Sequence, residues 1–417
     1  MRLYHGDILF APRLGELTAL PGGYLAVEQG VVQGVSPHLP EAWKGCPVEE
    51  LGRRLLIPAF NDIHLHAAQL PMAGLGYDGT SDEWFSRYAY PTEQRYSSDL
   101  PYAREVNRDL IARLKENGIM RSVIMCATGS ESTRDLMEQL MESGLGAFVG
   151  KMNSDYGAFG EAQESHQDSC AQTLELISWA RGKSEKVKYI LSPEFIPAVS
   201  QEMLTFLGEL AQKEGLPVHS HMSEGPADLE LVAGRFPQEG WYGPVWDRFG
   251  LFGQTPTVMA HCLYVTGEEL ELMARRGVYI AHCPNPAQNV PSGRYLSVRK
   301  ALDMGIPVGL GSDIGCGHTL SMLENMVLAV QGSKMLTKEK PLTLADAFYL
   351  ATKGGGSFFG RVGSFEPGYQ FDALVIEDES LTRHRDYTLA ERLQRLVYCG
   401  DSRNISRRFC GGNEVFI

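Results

Sequence analysis

Two histidines separated by one residue, His64 and His66, stand at the end of an apolar run that begins at residue 55. Alternate side chains of a β-strand lie on the same face, so both imidazoles can point into one cavity and bind one metal ion. An isolated pair of this kind is more typical of a half-buried strand with two hydrogen-bonded histidines. The metal interpretation therefore requires further ligands elsewhere in the chain.

Eight short apolar runs follow residue 55, and they predict the strands of a barrel. Most gaps between them can hold a helix, as in residues 201–213, where apolar residues recur at three- and four-residue steps. Strands that alternate with helices indicate a parallel sheet, and eight such units predict an α/β fold, the (β/α)8 TIM-type barrel. The runs lie at residues 55–66, 120–128, 146–153, 188–195, 216–224, 257–264, 278–285 and 307–313.

The two ends of the chain show a different pattern. Residues 1–57 and 361–417 contain short strand signals bounded by glycine and proline, for example at 24–27 and 368–376, and they lack the barrel periodicity. We expect the two ends to pair as one small β-sandwich module. Residues 58–360 would then form the barrel.

Composition excludes several classes of partner. The 417 residues carry a net charge of −13, which argues against nucleic acid or an anionic membrane as a partner. No stretch of 18 or more apolar residues predicts a membrane span, and the first residues lack the apolar core of a signal peptide. The eight cysteines form no CxxC pair, which favours buried thiols in a cytoplasmic protein.

The carboxyl ends of the predicted strands carry the residues that could do chemistry. These ends meet at one mouth of a barrel, so their side chains should converge on one site. Nitrogen and oxygen ligands without a thiolate suit Zn²⁺ or Fe²⁺. Six of the eleven histidines lie there with two acidic residues, and the set is His64, His66, His219, His221, His261, His282, Glu224 and Asp313.

The motifs at these strand ends resemble those of the amidohydrolase superfamily, in that family's order and approximate spacing. They are PAFNDIHLH at 58–66, SHMSE at 220–224, AH at 260–261, HCP at 282–284 and GSD at 311–313. Within the superfamily the chain resembles the guanine deaminases over nearly its whole length. That narrower resemblance depends on HAAQ at 66–69, LGYD at 75–78, Trp84, YPTE at 90–93, FVGKMN at 148–153 and FFG at 358–360.

The resemblance implies an aminohydrolase with one divalent metal, zinc or else iron. Relatives with two metals use a modified lysine at the end of strand four, whereas Lys188 stands at the start of that strand. The metal would lower the pKa of a bound water to about 7, so that hydroxide can attack the ring carbon and release ammonia. The ligands that the resemblance implies are His64, His66, His221 and Asp313.

The resemblance also implies roles for the neighbouring residues. Asp313 would accept the proton of the water, Glu224 would carry a proton to the ring nitrogen and the leaving ammonia, and His261 would polarise the attacked centre. A helix N-cap is the alternative role for Glu224. Gln69 would contact the heterocycle, and Trp84 would line its pocket. The partner implied is a small heterocyclic molecule, and the assembly implied is a homodimer.

His219 shares a strand face with His221, where the family usually has an uncharged polar residue. We include it among the substrate-binding candidates. Support of a metal ligand and a plain core position stay open as alternatives. For His282 the family pattern implies a pocket or structural role rather than a metal ligand.

The chain departs from the guanine deaminase pattern at two places. The family motif Pro-Arg-Phe becomes Pro193-Glu194-Phe195, which exchanges a donor-only side chain for an acceptor. The polar pair that follows the seventh strand becomes Pro286-Ala287. If Glu194 faces the pocket, we expect a substrate with an amine, amidine or ring N–H where guanine presents an oxygen. Alternatively, Glu194 turns to a local cation and another group reads guanine.

The sequence therefore predicts a hydrolase acting on the C–N bond of a cyclic amidine. Guanine, converted to xanthine, is the leading single substrate. Another aminopurine, a pterin, an aminopyrimidine or an aminotriazine is the alternative. A non-catalytic scaffold with the same barrel is a more distant alternative, and the intact metal motif argues against it.

Overall fold

The computed structural model describes residues 1–157, 163–289 and 294–417. Hydrogen-bonded strands alternate with helices along most of these ranges. The strands are β1 (Arg2–Arg13), β2 (Glu16–Glu28), β3 (Val31–Ser36), β4 (Val48–Pro58), β5 (Phe60–His66), β6 (Ile119–Met125), β7 (Gly146–Gly150), β8 (Met152–Asn153), β9 (Val187–Tyr189), β10 (Ser192–Pro193), β11 (Val218–Met222), β12 (Thr257–His261), β13 (Tyr279–His282), β14 (Val308–Leu310), β15 (Ala373–Ile376), β16 (Ile405–Cys410) and β17 (Asn413–Glu414).

The helices are α1 (Ser81–Trp84), α2 (Tyr90–Ser98), α3 (Leu100–Glu116), α4 (Ser130–Ser143), α5 (His166–Ala180), α6 (Gln201–Glu214), α7 (Pro226–Arg235), α8 (Tyr242–Arg248), α9 (Gly267–Arg276), α10 (Pro286–Asn289), α11 (Val298–Asp303), α12 (Met322–Leu336), α13 (Leu344–Tyr349), α14 (Glu379–Thr382) and α15 (Leu389–Cys399). π-Helical turns occupy Phe85–Ala89 and Leu350–Gly354. None of the helices in the described ranges has both the length and the apolar character needed to cross a membrane.

The barrel consists of two four-stranded parallel sheets, ordered β5-β6-β7-β9 and β11-β12-β13-β14. Backbone hydrogen bonds also connect the two sheets at both junctions. The Leu191 N–H donates to the Pro217 carbonyl at 3.0 Å, and the Asp313 N–H donates to the His64 carbonyl at 2.9 Å. Each of the eight apolar runs contributes one of these strands, so the predicted TIM-type barrel is confirmed.

The interior of the barrel is filled rather than open. Apolar side chains from successive strands form one buried cluster that includes Ile63, Val123, Ile190, Val258 and Ala281. Helices pack against the outer face of the strands in a larger core. Because the interior is packed, a substrate site can form only where the strands end.

A separate seven-stranded sheet has the order β17-β16-β15-β4-β1-β2-β3, and the two-residue strands β8 and β10 pair with each other. Both chain ends contribute to it, since β15 pairs antiparallel with β4 at Ala373 and Pro58. The sheet curls over its own apolar core, and Val31 at its far edge bridges to Gln370. The β module built from both ends is thus confirmed. The domain boundaries at 57/58 and 360/361 stay a prediction.

The C-terminal part of this module contains a helix that the strand-rich interpretation of residues 361–417 did not include. α15 carries Leu389, Leu393, Leu396 and Val397 on its buried face. These residues follow the three- and four-residue spacing of an amphipathic helix. Thr388 caps the helix through a hydrogen bond from the Glu391 N–H, a capping box that is visible in the sequence.

A buried ion pair joins the barrel to the β module. Arg121 on β6 donates from Nε to Asp372 Oδ2 at 2.6 Å and from Nη2 to Oδ1 at 3.3 Å. The Gly411 N–H donates to Asp372 Oδ1 at 2.5 Å. Both charged side chains are almost fully buried. The charge of each side chain is therefore compensated by the charge of the other.

We predict that Asp372→Asn destabilises the protein by about 3–5 kcal/mol, because it leaves the Arg121 guanidinium buried without a counter-charge. Equilibrium urea unfolding measures this change. Asp109→Asn is the matched control, since Asp109 also accepts from an arginine Nε, that of Arg113, at 3.0 Å but on an exposed helix face. The control should cost less than about 1 kcal/mol. Equal losses in the two variants would contradict the structural role of the buried pair.

Candidate metal centre and active site

Three of the predicted metal ligands lie at the carboxyl ends of two barrel strands, and the fourth lies in the loop that follows a third strand. His64 and His66 end β5, His221 lies near the end of β11, and Asp313 follows β14 by three residues. All four side chains are buried. The barrel therefore brings together residues that are up to 249 positions apart in sequence.

The backbone at several of these strand ends adopts a left-handed conformation. Five non-glycine residues of the described chain have positive φ, and four of them lie here: Ser223 (52°), His261 (68°), Cys262 (54°) and Asp313 (49°). Such conformations cost about 1–3 kcal/mol each and persist only when the surroundings enforce them. The strain is thus concentrated where side chains leave the strands and turn into the mouth.

The four predicted ligand atoms face one another. His66 Nε2 lies 3.0 Å from His221 Nε2, and His64 Nε2 lies 3.1 Å from Asp313 Oδ1. The distance from His66 Nε2 to Asp313 Oδ1 is 3.4 Å. Three imidazole nitrogens and one carboxylate oxygen therefore surround a single position, which matches the donor types that Zn²⁺ or Fe²⁺ prefers.

Hydrogen bonds on the far side of two rings orient them toward this position. His221 Nδ1 donates to the Glu194 backbone carbonyl at 2.5 Å, which leaves Nε2 with a free lone pair. On the His64 ring, Nδ1 lies 2.6 Å from His219 Nε2, while Nε2 faces Asp313. A metal-binding histidine usually has such a partner on its other nitrogen.

The electrostatics of the cluster also suit a cation. The pKa values of His64 and His66 are well below the usual value. Burial is the larger cause, and the neighbouring imidazoles lower these pKa values further. The same causes lower the pKa of His221 to about 4. Burial raises the pKa of Asp313 well above its usual value, and Glu224 raises it further. Neutral imidazoles with facing lone pairs and an uncompensated carboxylate together fit one divalent metal ion.

A buried carboxylate beneath the cluster fixes the geometry of the strand ends. Asp62 Oδ1 accepts hydrogen bonds from the His64 N–H at 3.2 Å and from the Ser312 N–H at 3.0 Å. It thereby ties β5 to the segment that follows β14. Burial raises the pKa of Asp62 to about 7.

Two predicted catalytic side chains lie beside the ligand cluster. His261 Nε2 is 3.6 Å from Glu224 Oε2 and 3.7 Å from Asp313 Oδ2. The N-cap residue of α7 is Gly225 and not Glu224. Asp228 in the first turn accepts from the N–H groups of Glu224 and Gly225. The Glu224 side chain is 31 % exposed and stays available at the mouth.

The four substrate-binding candidates have different surroundings in the structure. Gln69 and Glu194 are buried beside the ligand cluster. Gln69 follows His66 by three residues, and the Glu194 backbone carbonyl accepts from His221. Trp84 is buried in an apolar cluster with Met72 and Cys316, and Cys316 in turn lies within metal-binding reach of Asp313 and Glu224. His219 contacts His64, and this position favours orientation of the metal ligand over substrate contact.

His282 is directed away from the ligand cluster. Its Nε2 lies 3.2 Å from the Tyr295 hydroxyl, and the Tyr295 hydroxyl donates to the Leu328 carbonyl. The nearby departures Pro286 and Ala287 begin α10. His282 is therefore held by Tyr295 and is not among the ligand atoms that face the metal position.

Three residues of the site had no predicted role. Glu93 accepts from Gln69, and Ser154 donates to Glu194. Cys316 lies near Asp313 and Glu224. Glu93 stands on a helix between strands rather than at a strand end, so no spacing rule connects it to the histidines. The only sequence feature that could have indicated a role for Glu93 is its place in the YPTE segment at 90–93, which is part of the family resemblance.

Comparisons with known proteins agree with this geometry. The model of the amidohydrolase family matches residues 55–415. Human guanine deaminase is 32 % identical over 397 residues, which cover 90 % of this chain and 87 % of the human protein.

Two solved structures share the whole architecture. The crystal structure of guanine deaminase from C. acetobutylicum, with guanine bound in the active site, superposes with a TM-score of 0.95 at 41 % identity and full coverage of both chains. The guanine deaminase structure from E. coli gives a TM-score of 0.89 at 26 % identity, covering 100 % of this chain and 99 % of the other. The chain therefore belongs to the amidohydrolase family, among its guanine deaminase-like members.

Proposed function

We propose that this protein is a metal-dependent aminohydrolase that removes an exocyclic amino group from guanine or a guanine-like nitrogen heterocycle and releases ammonia. The observation that carries the proposal is the convergence of four buried N and O ligand atoms with Glu224 and His261 beside them. Among the alternatives, a scaffold without catalysis has no use for this ligand set. The guanine deaminases that match nearly the full chain favour guanine as the leading substrate.

His64, His66, His221 and Asp313 would hold one divalent metal ion, and zinc suits three imidazoles with one carboxylate better than the oxygen-rich sites of Mg²⁺ or Ca²⁺. Iron is the alternative. When bound there, the metal acts as a Lewis acid that lowers the pKa of water toward about 7. By holding the metal at the barrel mouth, these four residues would place that chemistry where the heterocycle enters.

The side chains around the ligand cluster divide the proton transfers. Asp313 Oδ2 faces His261 rather than the other ligands and can take a proton from the attacking water. Glu224 then delivers a proton to the ring nitrogen and to the departing amino group. His261 donates a hydrogen bond to the oxygen that is added at the ring carbon. One C–O bond forms and one C–N bond breaks. Of the two water protons, one stays on the ring nitrogen of the product and the other leaves with ammonia.

We also propose the residues that contact the substrate, the cellular compartment and the assembly. Gln69 would contact the heterocycle, and Trp84 would close one side of the pocket through Cys316. All eight cysteines are free and most are buried, which favours a reducing compartment such as the cytoplasm. The family resemblance supports a homodimer as the assembly.

We predict that the purified protein contains about one tightly bound transition metal per chain. Its removal with a chelator should abolish ammonia release, and added Zn²⁺ should restore it. Elemental analysis and an ammonia assay measure both effects. His221→Ala should lose the metal, whereas the control His282→Asn, also a buried histidine at a strand end, should keep it. Full activity in metal-free protein would contradict the proposal.

We predict that Glu224→Gln lowers kcat by about 10²–10⁴-fold, because the amide cannot carry the proton to the leaving group. The metal content should stay unchanged. Glu230→Gln is the control, since Glu230 is exposed on the same helix α7. Steady-state ammonia release measures the difference. If the two variants had the same kcat, the proton shuttle would have to be another group.

A further inference from the structure

Two buried carboxyl groups, those of Glu194 and Glu93, lie beside the ligand cluster on the side of the mouth that we call the wall, and neither pairs with a lysine or arginine of the described residues. Glu194 follows β10, and its backbone carbonyl accepts from the metal-ligand candidate His221. Its side chain is 5 % exposed, and Oε2 accepts from the Ser154 hydroxyl at 2.6 Å. In the described part of the chain Oε1 has no hydrogen-bond partner.

Glu93 on α2 is the second carboxyl group, and it is 3 % exposed. Its two oxygens accept from Gln69 Nε2 at 2.8 Å and from Gln163 Nε2 at 3.3 Å. Because a carboxylate accepts hydrogen bonds, the Gln69 amide must direct its Nε2 toward Glu93. The Gln69 carbonyl Oε1 is then buried with no hydrogen-bond partner among the described residues, and it adds one more acceptor to the wall.

The charges around this wall do not cancel. Lys151 Nζ lies 2.5 Å from Glu164, so that ion pair is complete in itself. Among the described residues no lysine or arginine forms an ion pair with Glu93 or Glu194. Burial raises the pKa of both carboxyl groups, and the charge of Glu93 raises that of Glu194 further. Such an arrangement is costly unless a ligand supplies donors.

The arginine of the guanine deaminase motif would change this wall in two ways. It would present up to five N–H donors at position 194, and its charge would lie close to the Glu93 carboxylate. Glu194 removes those donors and also leaves Glu93 without a cation. A single proton on one carboxyl group provides one O–H donor and does not replace the arginine. The wall is therefore built to accept hydrogen bonds.

We propose that Glu194, Glu93 and Gln69 form a specificity element that binds a hydrogen-bond-donating edge of the substrate. The preferred substrate is an aminated heterocycle with an amino group where guanine carries its carbonyl oxygen, as in 2,6-diaminopurine. This inference rests on the proposed function, because it concerns the substrate of the same site. Removal of the 2-amino group gives xanthine from guanine and isoguanine from 2,6-diaminopurine, with ammonia from both.

Binding should be measured first, in the slow Glu224→Gln background, by calorimetry with guanine and with 2,6-diaminopurine. We expect 2,6-diaminopurine to bind at least about tenfold more tightly, because a buried acceptor facing another acceptor loses about that much. Adding Glu194→Arg should reverse the preference, and adding the isosteric Glu194→Gln should reduce it. Glu202→Gln, an exposed change on α6, should leave the ratio unchanged. Metal content and circular dichroism establish that each variant is folded.

The same two compounds are then assayed for ammonia release with Glu224 intact. A higher kcat/KM for 2,6-diaminopurine, reversed by Glu194→Arg, supports the inference. Rapid guanine turnover with equal or tighter guanine binding overturns the inference and leaves the proposed function standing. If neither compound releases ammonia from metal-loaded protein, the proposed function fails, and the binding ratio still decides whether the wall prefers donors.

Discussion

The rest of the site depends on one constraint. Four ligand atoms, each with a lone pair, face a single position at the mouth of the barrel. His66 Nε2 and His221 Nε2 are only 3.0 Å apart, and Asp313 lies within 3.4 Å of His66. Without a cation, lone pairs at this distance repel one another, and the buried carboxylate has no counter-charge. The barrel enforces the arrangement through left-handed backbone at His261 and Asp313 and through Asp62, which holds two strand ends in register.

Glu194 connects the metal centre to substrate choice through two separate parts of one residue. Its backbone carbonyl orients His221 at 2.5 Å, a role that any side chain at this position permits. Its carboxyl group lies in the wall of the mouth beside Ser154. Because the first role does not depend on the side chain, recognition can change while the ligand geometry and the hydrolytic chemistry stay the same.

The strand ends were predictable because a parallel barrel brings distant carboxyl ends to one mouth. Position at the strand ends therefore placed His64, His66, His221 and Asp313 in one group with four other candidates, and the family resemblance selected these four as the ligands. The orientation of His219 was not predictable, since strand periodicity gives the face of a side chain but not its hydrogen-bond partner. Glu93 lies on a helix whose docking depends on tertiary packing, so the acceptor character of the wall emerged only in three dimensions. α15 could have been predicted, because its apolar spacing and capping box are local.

X-ray absorption spectroscopy at the metal edge tests the central claim most directly, because it reports the atoms bound to the metal in the purified protein. A single metal held by three histidines and Asp313 predicts a shell of nitrogen and oxygen scatterers at about 2.0–2.2 Å with imidazole outer-shell features. The nearby Cys316 thiol makes the experiment discriminating, since it lies within reach of Asp313 and Glu224. A sulfur scatterer at about 2.3 Å, a second metal, or the absence of bound metal would contradict the account.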